Sequence, residues 1–153
     1  MPNYKGHLTG GLIIALICVY IATLWMPLSI GLILQLLLCA LFGSLFPDID
    51  TKSQGQLLSY RILAVVLVVL IMQQRMAVAL ACSVVGIVPL VVHHRGLFHR
   101  VWFITALCVS VVLYAWLYIP FSAATVALHT FFFFIGALSH IWLDVGLKRM
   151  FYR

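Results

Sequence analysis

The chain contains no glutamate, and its whole acidic complement is three aspartates, Asp48, Asp50 and Asp144. Charge of either sign is scarce: 8% of the 153 residues are charged against 65% hydrophobic, and the mean hydropathy is +1.21. That shortage excludes a soluble domain of this size, which could not hide so much apolar surface from water; lipid has to be the solvent. The four cysteines, Cys18, Cys39, Cys82 and Cys108, sit singly inside apolar runs with no CxxC spacing. This argues against a disulfide framework or a thiolate metal site and leaves them as small packing residues. No internal repeat, low-complexity linker or room for a soluble second domain is visible, so residues 1–153 are expected to form a single integral membrane domain. No basic arm or nucleic-acid module accompanies the net charge of +6. In such a chain the cationic excess points to topology and anionic headgroups, with no nucleic acid as partner.

What the chain does have is apolar runs. After a short polar start, Met1–His7, comes Leu8–Trp25, whose 18 residues are enough to span a bilayer. It lacks a small-residue cleavage site and so reads as a helix, not a leader. Met26-Pro27 turns the chain into Leu28–Phe46, which Pro47 stops. Asp48–Tyr60 is the longest polar segment, with Ser53 and Gln56 spaced like a capping box. Ile62–Met72 makes a short third helix, because eleven residues rise about 16 Å against roughly 30 Å of hydrocarbon. Met76–Val92, kinked near Pro89, then Val101–Ile119 and Ala123–Leu143 complete the set. The expected fold class is all-α, a polytopic membrane protein of six transmembrane helices with both termini cytoplasmic. That topology places Lys5, Lys52, Arg61, Arg95, Arg100, Lys148, Arg149 and Arg153 inside and only Arg75 outside, the asymmetry of the positive-inside rule. Five spans would spoil it.

The same topology gathers the chemistry at one face. His93-His94-Arg95-Gly96-Leu97-Phe98-His99-Arg100 sets three histidines and two arginines between two apolar runs. Asp48 and Asp50 are two apart after a proline, and in an extended segment both carboxylates can face one ion. His140 and Asp144 are four apart, about 40° around a helix, the spacing at which a helix offers two ligands to one metal. His94 and His99, five apart, can converge only because Gly96 lets the chain turn, one from the loop and the other from the first turn of the fifth helix. His7 precedes Gly10-Gly11, small residues that allow close helix approach. His93 reads as exposed or outside the ligand set. His129, about 16 Å along the helix from His140, reads as a hydrogen-bonded interior histidine.

Taken singly, these pieces have plainer explanations: a solvated turn, a helix-end ion pair, topological anchors. Their agreement on one face with the arginines favours a site. Seven candidate ligands result: His7, Asp48, Asp50, His94, His99, His140 and Asp144. Imidazole and carboxylate without thiolate suit a divalent metal, Zn²⁺ first, with Mn²⁺ and Fe²⁺ as alternatives. Seven donors exceed what one catalytic ion with an open position needs, and fit a dinuclear centre bridged by a carboxylate.

The ordered motifs PDID, HRG-x-x-H and LSH-x-x-LD, with an early histidine before glycines, resemble those of the YdjM-like inner-membrane metal-dependent hydrolases of bacteria and archaea. The resemblance covers nearly the whole chain. It implies a small helical protein of the cytoplasmic (inner) membrane with a metal-hydrolase site at the same seven residues. Where that family usually has HRG-x-T-H-S, this sequence has Phe98 and Arg100 at the threonine and serine positions. The expected activity is hydrolysis of a membrane lipid, a phosphoester before a carboxyl ester, with an anionic or phosphate-containing lipid as substrate. Arg95 and Arg100 would hold the anionic group and stabilise developing charge. With no glutamate, the base is the activated water itself, a histidine, or an aspartate, for which Asp50 is the candidate. The rivals are a non-catalytic metal-binding or ion-conducting protein, and a scaffold with a structural metal. A conduction path needs polar groups through the bilayer, and only Gln35 and His129 lie deep.

Overall fold

The computed structural model describes residues 4–50, 54–72, 74, 76, 80, 83, 86, 87 and 97–146. Expectations on Lys52, Ser53, Arg75, Cys82, Pro89, His93, His94, Arg95, Gly96, Lys148, Arg149 and Arg153 fall outside these residues. The described chain is all-helical: α1 (Tyr4–Thr23), α2 (Ile30–Leu45), α3 (Gln54–Met72), α4 (Val101–Tyr118) and α5 (Ala123–Val145), with 3₁₀ turns at Phe46–Asp50 and Pro120–Ser122. Among the described residues four stretches are long and apolar enough to cross a membrane: Tyr4–Thr23, Ile30–Ile49, Val101–Tyr118 and Pro120–Val145.

Three boundaries differ from the sequence expectation, each for a local reason. α1 begins at Tyr4, so His7 stands in its second turn and not in a polar lead-in. Nothing between Tyr4 and His7 breaks a helix, and Thr9 Oγ1 returns a hydrogen bond to Lys5 O at 2.9 Å. The Phe46–Asp50 segment is a 3₁₀ turn, not extended. Pro47 ends the α-helical ladder, but its fixed φ suits the tighter turn, so the alternation argument that aligned Asp48 with Asp50 no longer applies. α3 begins at Gln54 and runs for 19 residues, two turns ahead of the apolar run from Ile62. Its first two turns carry Gln54, Gln56, Ser59 and Tyr60, and its apolar stretch, Gln54–Val68, falls short of a full span, as expected of the third helix. Gln56 points back, donating its amide N–H to Ile49 O at 2.8 Å and tying α3 to the 3₁₀ turn.

Gln74 adopts the left-handed conformation (φ 59°) that reverses the chain after α3, and its N–H bonds to Ile71 O at 2.9 Å. Helical positions follow at Met76, Leu80, Ser83, Gly86 and Ile87. The Tyr60 hydroxyl donates to Gly86 O at 2.8 Å, and a Cβ on Gly86 would run into Leu63, so this segment lies directly against α3.

The remaining helices pack around α5. Ala15, Val19, Leu36, Ala40 and Phe132 join α1, α2 and α5, while Ile104, Cys108, Ala137 and Ile141 join α4 to α5. The α2–α5 contact is backbone to backbone: a Cβ on Gly43 would overlap the Phe133 carbonyl, and one on Gly136 the Ala40 carbonyl. Small residues are how helices come this close where lipid supplies no hydrophobic drive between them. Large side chains such as Leu34, Leu38, Val65 and Leu117 point outward, as lipid permits.

Candidate metal centre

The start of α1, the turn after α2, the turn before α4 and the end of α5 meet at one end of the bundle, and each brings a histidine or an aspartate. On α5 the four-residue spacing sets His140 and Asp144 on one face, Nε2 to Oδ2 at 3.2 Å. Opposite them the 3₁₀ turn presents Asp48, whose Oδ1 is 3.6 Å from His140 Nε2 and 3.4 Å from His99 Nε2. His99 lies in the turn Leu97–Arg100, closed by an Arg100 N–H to Leu97 O bond of 3.0 Å, because α4 starts only at Val101. It is therefore not in the first helical turn. His99 Nε2 is 3.6 Å from Asp144 Oδ2. One donor atom from each of Asp48, His99, His140 and Asp144 lies within 4.8 Å of all the others, so these four could hold a metal ion.

Four of the six donor–donor distances suit a ligand set at least as well as a hydrogen-bonded cluster. Direct N–H···O bonds would bring these atoms to about 2.9 Å. Four donors each about 2.0–2.1 Å from a tetrahedral ion stand roughly 3.3 Å apart, close to the observed 3.2–3.6 Å. His140 Nε2 is buried and, among the described residues, makes no hydrogen bond. Its other nitrogen does: Nδ1–H donates to the Ser44 carbonyl at 2.7 Å. That bond fixes the tautomer and leaves the Nε2 lone pair facing the two carboxylates, the orientation device typical of metal-bound histidine.

His7 joins the set from one side. Its ring stacks on His140 at 3.7 Å and 15°, and its Nε2 is 3.4 Å from Asp144 Oδ1. Asp144 thus turns Oδ2 to His99 and His140 and Oδ1 to His7. Gly11, one turn along α1, permits this approach, since a Cβ there would be 2.6 Å from Ser44 Cβ. The side chains of His7, His140 and Asp144 are buried, whereas Asp48 and His99 are 25% and 23% exposed and form the accessible edge. Asp50 ends the 3₁₀ turn, its side chain outside the description; Arg100 is exposed at the N-cap of α4.

Several determinants of this geometry carry no sequence signal. The Ser44 carbonyl is 96 residues from His140. Phe98, at a position where a hydroxyl was expected from the resemblance, is 2% exposed. It lies edge-on to Phe46 (5.6 Å) and Phe103 (5.2 Å), anchoring the turn that carries His99. His129, expected as an interior histidine, is only half-buried but doubly engaged, with Nδ1 2.7 Å from Thr125 O and Nε2 3.1 Å from the Gln35 side chain. Trp102 and Trp142 are exposed at the level of the site, and Trp25, Trp116, Tyr118 and Phe121 at the opposite ends of the helices. This is the pattern of aromatic belts, with the ligand set level with one of the two.

With that geometry in hand, comparison with known proteins adds one positive finding. The family model described as YdjM inner membrane protein matches residues 1–149, so the chain belongs to that family. No curated protein and no solved structure matches it.

Proposed function

We propose that this YdjM-family membrane protein is a metal-dependent hydrolase that cleaves a lipid phosphoester at the cytoplasmic face of a bacterial or archaeal inner membrane. The observation that carries the proposal is the convergence of Asp48, His99, His140 and Asp144 at ligand spacing, around a buried His140 Nε2 without a hydrogen bond, at the level of Trp102 and Trp142. A site at that level meets lipid headgroups. When bound, a divalent ion, Zn²⁺ before Mn²⁺ or Fe²⁺, supplies Lewis-acid activation of water. The chain's residues do the rest. Ser44 O holds the His140 proton on Nδ1, and His7 orients Asp144 through Oδ1 or would itself donate to a second ion. Arg95 and Arg100 would grip the phosphate, Asp50 would accept the proton that the attacking water gives up, and His94 would add a donor.

A six-span topology with both termini cytoplasmic completes the proposal. Asp48 and His99 lie at the same end of the bundle, so the chain between them leaves and returns at one face. α3 and the segment packed on it then form two further crossings. Reporters fused after Ser53, Gly96 and Arg153 should read cytoplasmic and one after Gln74 periplasmic; a cytoplasmic reading at Gln74 removes the pair.

A second reading has its own support. Four protein donors around a tetrahedral ion leave no open position, which is the arrangement of structural sites. Catalysis requires a fifth position or a displaced carboxylate at the exposed Asp48–His99 edge. The full chain, purified in detergent and loaded with Zn²⁺, should retain metal and hydrolyse lipid phosphoesters in mixed micelles, and His140→Ala should lose both. Retained metal without turnover favours the structural reading. Wild-type protein that holds no metal defeats both.

A further inference from the structure

We propose that the His129–Gln35 pair is a register lock for α2 against α5, a positioning pair that holds Asp48 in line with His140 and Asp144 from about 16 Å away; this rests on the metal-site reading above. The pair is unusual for its surroundings. Gln35 is exposed within an apolar span, where any aliphatic residue would be cheaper. His129 Nδ1 faces the Thr125 carbonyl at 2.7 Å and so carries the proton. In a neutral ring Nε2 is then an acceptor. The atom placed 3.1 Å from it is Gln35 Oε1, so the amide, whose two ends are isosteric, is assigned with its N–H₂ facing the ring. The result is an interhelical bond that a neutral histidine can make inside lipid.

The seam itself explains why such a bond matters. Between the two histidines, α2 and α5 touch through Gly43 and Gly136 and through Phe132 packed with Leu36 and Ala40, close apolar contacts that carry no directional bond. A slip of one residue along a helix is about 1.5 Å, enough to take Asp48 Oδ1 out of the 3.4–3.6 Å set it forms with His99 and His140. The His140–Ser44 bond fixes one point of the seam, and one point still allows tilt. The His129–Gln35 bond fixes a second, eleven residues down α5.

The test uses the full chain in detergent, with Zn²⁺ affinity measured by chelator competition. Gln35→Leu and His129→Leu should each weaken Zn²⁺ by about threefold to tenfold, the range expected for one interhelical bond in a membrane protein, although every proposed ligand is intact. The exchanged pair, Gln35→His with His129→Gln, should recover to within about twofold of wild type. Metal-free protein labelled with spin probes at lipid-facing positions 38 and 131 provides a second readout, in which Gln35→Leu should shift or broaden the distance distribution. Unchanged affinity in both single variants, or an exchanged pair as weak as the singles, overturns the lock. If wild type binds no Zn²⁺, the metal reading falls and the label distances alone decide: an unchanged distribution overturns the lock and an altered one sustains it.

Discussion

The seams that α5 makes with α2 and with α4 are built on opposite plans. Against α2 it is stripped to glycine and backbone, with a histidine bond at each end. Against α4 it opens into an apolar groove of about 340 Å³, lined by Thr105, Val109, Leu113, Trp116, Ala127 and Phe131 among others. The first seam joins the elements bearing Asp48, His140 and Asp144; the second leads only to His99. Three donors are therefore set by a rigid contact. The fourth is held by a turn whose anchor is one aromatic side chain, Phe98. The difference separates a preorganised part of the site from an adjustable one, and the accessible edge takes one residue from each, Asp48 and His99.

Breaking the tight seam should have the largest effect. Gly136→Ala drives a methyl into the Ala40 carbonyl, and backbone has little room to yield. Zn²⁺ affinity should fall by about a hundredfold, the equivalent of roughly 3 kcal/mol, and thermal stability should drop with it; wild-type affinity would show the seam to be looser than described. Loosening the other half should cost less. Phe98→Leu leaves an apolar residue but removes both edge-on ring contacts, and should weaken Zn²⁺ about tenfold at most while leaving the Asp48–His140–Asp144 geometry in place. Equal losses for Phe98→Leu and Gly136→Ala would erase the distinction. Smallest of all, Ala127→Val adds two methyls to a groove with space for them, so stability measured by thermal unfolding should move by less than about 0.5 kcal/mol. A large loss there would mean that the groove is filled in the membrane-embedded protein.

The expectations that came from spacing within one element fared differently from those that needed two. His140 and Asp144 share a face because a single helix dictates it, and Gly10-Gly11 marks close approach because small residues have few other uses in a span. The all-helical character follows from composition alone. The course of Phe46–Asp50 depends on how Pro47 is accommodated after α2, and proline permits both extended and 3₁₀ continuations. The start of α3 at Gln54 agrees with the capping-box spacing of Ser53 and Gln56, whereas the apolar run from Ile62 does not mark it, since Gln54–Tyr60 contains no breaker after Gly55. The Ser44 carbonyl, the Phe98 anchor and the partner of His129 join residues 96, 52 and 94 apart or more loosely related. Such pairings carry no periodic signal, and the backbone acceptor has no side-chain identity to signal at all.

That last feature has a genetic consequence. The group that orients His140 belongs to the main chain at Ser44, so no replacement of the serine hydroxyl deletes it. What position 44 will feel is bulk, since its Cβ already faces Gly11. Alanine should pass unnoticed in a mutational scan and leucine should not, and the scan would record an ordinary steric site. Only a change to the backbone itself, such as an ester linkage that makes the carbonyl a poorer acceptor, would expose its part in aiming the imidazole.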